Sequence, residues 1–223
     1  MDYTLQFGQI ERFFPSFLVG ALISLALAAT SFSGGLLIGL VGAAVKTYGS
    51  GFARRLTDAY VIFFTNTPQL VQIFFLFFVL PDAGILLSPY NAVLIGMTLN
   101  AGAYLTEIQR AGFLSVRRQE IEAAETIGMS RIQTIRYVVM PHVIRTLFPP
   151  LSSHYISMVL GTSMAAVFGV NELTGRAMSA NAETFRAVEI YLVVGAIYIA
   201  ITFVASALLM LAGRRLLGVR MGA

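Results

Sequence analysis

The sequence contains no cysteine and few charged residues. Without cysteine, neither disulfide bonds nor metal sites built from thiolates can form. Only 12% of the 223 residues are charged and 57% are hydrophobic, with a mean hydropathy of +0.78. A soluble domain of this size does not need so much apolar surface. Because the apolar runs are continuous and do not alternate with polar residues, they predict an all-α membrane protein with several spans rather than a barrel.

The motifs of enzyme chemistry are also missing. A phosphate-binding loop requires Gly-x-x-x-x-Gly-Lys-Ser/Thr, and the single lysine, Lys46, lies in Ala-Val-Lys-Thr without those glycines. The two histidines, His142 and His154, have no acidic ligand near them in sequence, and no serine lies in Gly-x-Ser-x-Gly. No basic and aromatic platform for nucleic acid is present. We therefore expect no catalytic residue, no metal or cofactor bound by this chain, and no nucleic-acid partner.

Five segments are predicted to be spanning helices, each of which needs about 20 mostly apolar residues. They are residues 17–45, 56–80, 92–113, 147–168 and 190–217. No long soluble domain fits between them, so we expect one transmembrane domain over residues 1–223. Pro149 and Pro150 are expected in the first turn of the fourth span. The N-terminus lacks the pattern of a cleaved signal peptide, so the first apolar segment is expected to remain in the membrane.

The distribution of lysine and arginine predicts the orientation of the chain. With the N-terminus outside, only Arg12, Arg176 and Arg186 of the fifteen basic residues lie on the outer side. We therefore expect the C-terminus and the polar loop between the third and fourth spans, about residues 115–146, to face the cytoplasm. The basic residues assigned to the cytoplasmic side are Lys46, Arg54, Arg55, Arg110, Arg117, Arg118, Arg131, Arg136, Arg145, Arg214, Arg215 and Arg220.

This loop is too polar to lie in hydrocarbon, where each charge at the bilayer centre costs about 2.5 to 3.5 kcal/mol. Its sequence favours a helix over residues 120–129 that Gly128 interrupts. A second short helix over residues 131–140 is predicted to begin at Ser130 as N-cap and to end at Pro141. Two short helices joined at a glycine form a compact docking element; an ordinary cytosolic loop is the alternative.

The same loop carries a family motif. Glu-Ala-Ala at residues 122–124, Gly128, and Val-Val-Met-Pro at residues 138–141 resemble the EAA motif of ABC importer permeases. In that family the loop holds the coupling helix, which docks on the ATP-binding subunit. The glycine is expected either to turn the chain with positive φ or to let two backbones touch. The resemblance implies a coupling role for Glu122, Ala123, Ala124, Glu125 and Gly128.

Two further stretches resemble the polar amino acid branch of these permeases. Residues 65–72 resemble Arg-Gly-Thr-Pro-x-x-x-Gln, although Thr65 stands where the family has arginine. Residues 160–164 resemble Lys-Asp-Thr-Ser-Leu, with Leu160 and Gly161 in place of the two charged residues. This chain therefore lacks three charges that the family pattern contains at these positions.

The resemblance implies a permease subunit of an ABC importer in the bacterial inner membrane. It would move a polar amino acid, or a close relative such as an opine, by alternating access. Two permease subunits, identical or paralogous, would enclose the pathway, and two ATP-binding subunits would bind ATP and Mg inside the cell. A periplasmic or tethered binding protein would deliver the solute. The chain itself would be the non-catalytic subunit.

Polar side chains interrupt the apolar spans at a few positions. Pro68 removes a backbone donor and is expected to kink the second span. Polar groups inside a membrane usually face protein or a wet cavity. We therefore predict that uncharged polar side chains line the transport pathway, with helix–helix hydrogen bonding as the alternative. The candidates are Asn66, Gln72, Tyr104, Thr162 and Ser163.

Two other pairs suggest helix packing. Gly35 and Gly39 form a GxxxG pair, which lets helix backbones approach closely. Glu107 and Arg110 share a helix face and are predicted to form an ion pair.

A stand-alone secondary transporter or channel is the alternative function. It would use carboxylates within the membrane, for which Glu107 is the candidate.

Overall fold

The computed structural model describes residues 4–218, and within this range it contains helices and no strands. The all-α prediction is confirmed. Residues 1–3, and Arg220 of the predicted cytoplasmic set, lie outside the described residues. The α-helices are α1 (Phe14–Tyr48), α2 (Gly51–Thr65), α3 (Gln69–Phe74), α4 (Pro89–Leu114), α5 (Arg118–Thr126), α6 (Arg131–Thr134), α7 (Met140–Gly161), α8 (Leu173–Thr184) and α9 (Ala187–Ala212).

The contacts divide the chain into two compact units. Of the described residues, unit 1 takes those within Met1–Ser33, Thr67–Thr98 and Tyr155–Ala205. Unit 2 takes those within Gly34–Asn66, Leu99–His154 and Ser206–Ala223. The prediction of one domain over residues 1–223 stays a prediction.

Three helical stretches in the described range are long and apolar enough to cross a membrane: Phe7–Tyr48, Arg131–Phe168 and Ala187–Arg215. A bent pair, Gly51–Thr65 with Gln69–Ala83, makes a possible fourth. The remaining predicted span corresponds to α4, which has 26 residues but carries Asn100, Glu107 and Gln109 among its apolar residues. The count of five spans and the orientation of the chain stay predictions.

The second span is broken rather than kinked. The prediction was one helix over residues 56–80, but α2 ends at Thr65 and α3 begins at Gln69. Pro68 is the N-cap of α3 and has an extended backbone with ψ 131°. A proline clashes with the preceding turn and lacks an amide hydrogen, so it begins a helix more easily than it continues one. After α3, the chain forms a π turn, Phe75–Val79, and a 3₁₀ turn, Leu80–Ala83.

The loop after α5 also differs from the prediction. Pro141 does not end a short helix, because α6 passes through a π turn, Ile135–Val139, directly into α7. The wider π turn, closed by the Met140 N–H on the Ile135 carbonyl, makes room for a proline at the next position. Pro149 and Pro150 lie inside α7, not in its first turn. Beyond Gly161 the helix tightens into a 3₁₀ segment, Thr162–Phe168.

The core of unit 1 forms where the first half of α1 packs against α8 and the start of α9. Gly20 permits this contact, because a Cβ atom there would lie 2.8 Å from the Leu173 Cα atom. The core residues are Ile10, Phe17, Ala21, Leu173, Ala177, Ala180, Ile190 and Val194.

The core of unit 2 forms where the second half of α1 packs against α4. A Cβ atom at Gly35 would lie 2.7 Å from the Ala101 Cβ atom, and one at Gly39 would lie 2.8 Å from the Leu105 Cβ atom. Real Cβ atoms do not approach so closely, so the GxxxG pair brings two helix backbones together within this chain, as predicted.

Candidate functional site

The end of α5 is built by a glycine in the left-handed conformation. Gly128 has φ 81°, and its N–H donates to the Glu125 carbonyl at 3.0 Å. The Met129 N–H donates to the Ala124 carbonyl at 3.1 Å. This pair of hydrogen bonds is the Schellman motif, which satisfies carbonyls that the helix end would leave unpaired. No atom lies within 4 Å of a Cβ built at Gly128, so positive φ, not backbone contact, explains the glycine in this chain.

The start of α6 is built by a capping box. The Ser130 N–H donates to Gln133 Oε1 at 2.8 Å, and the Gln133 N–H donates to Ser130 Oγ at 3.4 Å. Each side chain thus satisfies a backbone group at the helix start. The prediction that Ser130 is an N-cap is confirmed. Two adjoining capped ends make the turn between α5 and α6 a defined structure and not a slack connection.

The α5–α6 segment presents an exposed surface. Ala124 is buried, whereas Glu122, Ala123, Glu125 and Gly128 are exposed. Ile127 and Ile132 are each 78% exposed. An apolar surface rimmed by charged residues is typical of a protein interaction site. The structure therefore brings the five predicted coupling residues onto one short helix and its terminating turn.

An open groove of about 570 Å³ adjoins this surface. His142 Nδ1 lies 3.9 Å from Glu120 Oε2, so a protonated His142 forms an ion pair between α7 and the start of α5. The groove extends the exposed α5–α6 surface toward α7. The residues lining it are Glu120, Tyr137, Val138, Pro141, His142, Arg145 and Thr146.

In unit 2, two of the predicted pathway residues form hydrogen bonds with the last turn of α2. Asn66 is exposed, and its Nδ2 donates to the Ile62 carbonyl at 2.8 Å. Tyr104 is 41% exposed, and its hydroxyl donates to the Thr65 carbonyl at 3.4 Å. Asn100, which was not predicted, donates from Nδ2 to the Phe64 carbonyl at 3.0 Å. The Tyr104 and Asn100 side chains satisfy carbonyls that the break before Pro68 deprives of helical partners, whereas the Ile62 carbonyl also accepts from the Asn66 N–H at 3.1 Å.

The other three predicted pathway residues lie in unit 1. Gln72 is buried, and its Nε2 donates to Thr67 Oγ1 at 2.7 Å. Thr162 is fully buried and donates to the Val159 carbonyl at 2.7 Å. Ser163 is half-buried and donates to the Leu160 carbonyl at 2.9 Å. Each hydroxyl or amide therefore has a protein partner in this structure, and the pathway role of all five residues stays a prediction.

Glu107 lies in a cluster of four charges. The predicted ion pair is confirmed, because Arg110 Nη2 lies 2.9 Å from Glu107 Oε2. Lys46 Nζ lies 2.5 Å from Glu107 Oε1 and 2.6 Å from Asp58 Oδ1. The sequence did not indicate that Lys46 and Asp58 belong here, because they are distant from Glu107 along the chain. Within residues 4–218, no three His, Asp or Glu side chains form a group that could hold a metal ion.

A fully buried carboxylate, Glu172, was missed by the sequence analysis. It is the N-cap of α8 and accepts from the N–H groups of Thr174 and Gly175 at 3.0 and 2.9 Å. It also accepts from Ser24 Oγ and the Tyr198 hydroxyl, both at 3.0 Å. No feature of the sequence singled it out, because it lies between the fourth and fifth predicted spans and has polar as well as apolar neighbours.

Comparison with known proteins agrees with this architecture. Residues 35–218 match the family described as binding-protein-dependent transport system inner membrane component. The chain is 35% identical over 204 residues to the glutamine transport system permease protein GlnP of Escherichia coli (strain K12), covering 91% of this chain and 93% of that protein. It is 34% identical over 209 residues to the nopaline transport system permease protein NocM of Agrobacterium fabrum, covering 89% and 87% of the two chains.

Solved structures of ABC transporters are also similar to this chain. A crystal structure of an amino acid ABC transporter with histidines has a chain that is 30% identical, with a TM-score of 0.88, covering 96% of this chain and 100% of that one. The inward-facing MetNI methionine ABC transporter shares the fold, with 18% identity, a TM-score of 0.67, and coverage of 89% and 97%. The chain therefore belongs to the family of binding-protein-dependent inner membrane components and is a permease subunit of an ABC importer.

Proposed function

We propose that this subunit moves a polar amino acid, or a related opine, across the inner membrane by alternating access. Two kinds of observation support this substrate class. Relatives that cover most of the chain are named for glutamine, nopaline and L-cystine transport. The candidate pathway residues offer hydrogen bonds without net charge, which suits a zwitterionic solute with a polar side chain.

The observation that carries the mechanism is the geometry of the α5–α6 turn. A nine-residue helix ends in a left-handed glycine, is followed at once by a second capped helix start, and exposes Ala123 and Ile127. Small residues allow a helix to seat closely in a cleft of a partner protein. We propose that this turn docks on an ATP-binding subunit and that ATP-driven movement of that subunit displaces it.

The remaining partners follow from the same proposal. The ATP-binding subunits hold ATP and Mg, since this sequence contains no phosphate-binding loop. A second permease subunit, identical or paralogous, completes the pathway, and a periplasmic or tethered binding protein delivers the solute. In this arrangement the N-terminus faces outward and the α5–α6 turn faces the cytoplasm, in accord with the distribution of basic residues.

Gly128→Asp tests the docking role. Aspartate tolerates positive φ better than most residues, so the main effect should come from a side chain and a charge forced into the docked contact. Such overpacking costs about 1 to 3 kcal/mol, which weakens docking by about one to two decades. We expect the variant to insert in the membrane, to lose uptake in proteoliposomes, and to release the ATP-binding subunit during copurification or to leave its hydrolysis uncoupled.

Gly84→Asp is the matched control for this variant. Gly84 has φ 82° and, like Gly128, no atom within 4 Å of a Cβ built on it, but it lies outside the α5–α6 turn. The same substitution thus imposes a similar backbone cost at a position that the proposed ATP-binding subunit does not contact. Uptake at the wild-type rate by Gly128→Asp would show that this turn does not transmit the movement. Equal losses in both variants would assign the effect to backbone strain.

A further inference from the structure

The four-charge cluster joins three helices of unit 2. Lys46 lies in the last turn of α1, Asp58 in α2, and Glu107 and Arg110 near the end of α4. Lys46 contacts both carboxylates, and Arg110 binds Glu107 through Nη2 and Nε, at 2.9 and 3.1 Å. Lys46 thus connects α1 to both α2 and α4.

The shielding of Lys46 separates this cluster from an ordinary surface ion pair. The Lys46 side chain is 15% exposed, and the other three side chains of the cluster are 36% to 39% exposed, whereas both side chains of the Arg12–Glu183 pair are at least 60% exposed. Buried charges are poorly screened, and removing one partner leaves another without compensation. Two cations and two anions balance here, so loss of the Lys46 ammonium leaves a net negative charge between the helices.

Two hydrogen bonds also hold α2 to α4 on the C-terminal side of Asp58. The Tyr60 hydroxyl donates to the Leu99 carbonyl at 2.6 Å, and Asn100 Nδ2 donates to the Phe64 carbonyl at 3.0 Å. Together with the Lys46 contacts, these bonds attach the second half of α2, from Asp58 to Phe64, to α4. The helix α4 itself ends at Leu114, and α5 begins only four residues later at Arg118. Displacement of the α5–α6 turn therefore acts first on the end of α4 that bears the cluster.

We propose that Lys46 is a positioning residue of the transport cycle, which holds α1 and α2 to the end of α4 so that they move with the α5–α6 turn. The inference rests on the proposed function, in which that turn is the part displaced by the ATP-binding subunit. Without the Lys46 ammonium, α4 moves with the turn but α1 and α2 do not follow it fully. The ATP-binding subunit then still hydrolyses ATP, but less solute is transported for each ATP hydrolysed.

The absence of cysteine from the chain permits a direct test on one protein sample. In Lys46→Cys, the engineered thiolate displaces bromide from 2-bromoethylamine and forms a side chain with as many atoms as lysine and a terminal ammonium. The solubilised complex of the variant with its ATP-binding subunit is divided into two portions. One portion is treated with 2-bromoethylamine, the other is left untreated, and both are reconstituted into liposomes. We expect amino acid uptake per ATP hydrolysed to fall about ten-fold in the unmodified variant, within the range typical of coupling between sites, and to recover after modification.

The controls separate charge from size and from reagent effects. Iodoacetamide adds a neutral group of similar size to the same thiol and should restore nothing. The wild-type complex, treated in parallel, reports what the reagents do to cysteines of the partner subunit. Arg12→Cys, at the exposed pair, should keep the wild-type ratio without modification. If Lys46→Cys simply failed to fold, a charge added after assembly would not restore uptake per ATP. Recovery therefore excludes misfolding as the cause of the loss.

Two results would overturn the proposal. One is a wild-type ratio of uptake to hydrolysis in unmodified Lys46→Cys; the other is no recovery after mass spectrometry shows complete aminoethylation. If Lys46→Cys fails to assemble, Asp58→Asn serves instead, because it releases only α2; a wild-type ratio in that variant contradicts the inference. If Lys46→Cys has the wild-type ratio of uptake to hydrolysis while Gly128→Asp loses uptake, only the proposed role of Lys46 is rejected. The proposed function of the α5–α6 turn is then unaffected.

Discussion

Glu172 illustrates how a single carboxylate can organise one unit of a membrane protein. It is fully buried, and its hydrogen bonds to described residues come from two backbone amides, a serine and a tyrosine. The Ser24 hydroxyl is itself fixed, because it also accepts from the Leu173 N–H at 3.3 Å. One side chain thus caps α8 and attaches it to α1 and α9. All four groups donate to the carboxylate, which accepts through both of its oxygens.

Glu172→Gln is expected to destabilise the protein although it preserves the shape of the side chain. The amide keeps one acceptor oxygen and directs its NH₂ group toward donors, which leaves buried groups unsatisfied. We expect a loss of about 2 to 4 kcal/mol in the free energy of unfolding, because hydrogen bonds to charged groups are stronger than neutral ones. Denaturant titration in mixed micelles measures it. Glu183→Gln, at an exposed pair, is the control, and an equal loss there would contradict the account.

At the scale of single residues, the sequence predicted what is local. Ser130 as N-cap, Gly128 as a turn residue and the Glu107–Arg110 pair follow from rules that act over three or four positions. The partners of Glu172 and Lys46 could not be predicted in this way. Ser24 is 148 residues from Glu172, and Lys46 is 61 residues from Glu107. Only packing of distant helices decides such pairs.

At the scale of helices, the sequence predicted the apolar segments but not their irregularities. Proline rules predicted an end at Pro141, yet a π turn before it lets the helix continue. The same rules predicted a kink at Pro68, where the helix breaks because side chains of α4 satisfy the carbonyls left at the end of α2. A helix that contains a proline can be kinked, interrupted or continuous. Which of these occurs depends on such tertiary partners, which one sequence does not reveal.

Gly39→Ala tests the packing of α1 against α4. The added Cβ would lie 2.8 Å from Leu105, so the helices must separate or shift. We expect a loss of about 1 to 3 kcal/mol in stability from overpacking, although alanine is the better helix former. Gly195→Ala in α9 is the matched control, since nothing lies within 4 Å of a Cβ there. Thermal midpoints of the two purified variants should diverge; equal midpoints would show that Gly39 does not set the helix distance.

At the scale of the whole molecule, the family assignment explains features that are puzzling in isolation. A chain whose sequence contains no phosphate-binding loop nonetheless presents a capped, exposed turn with apolar and acidic residues. A permease that receives its energy from a partner subunit needs such a surface and no catalytic residues. The alternative of a stand-alone secondary transporter would need an available carboxylate, but Glu107 already binds Lys46 and Arg110.

Uptake by the reconstituted complex tests the central claim most directly. Proteoliposomes that contain the permease are prepared with and without the ATP-binding subunit, and labelled glutamine, cystine and an opine are supplied with the binding protein outside. We expect uptake of at least one of them only when the ATP-binding subunit and internal ATP are both present, and no ATP hydrolysis by the permease alone. Accumulation driven by an ion gradient in liposomes that contain only this chain would contradict the account.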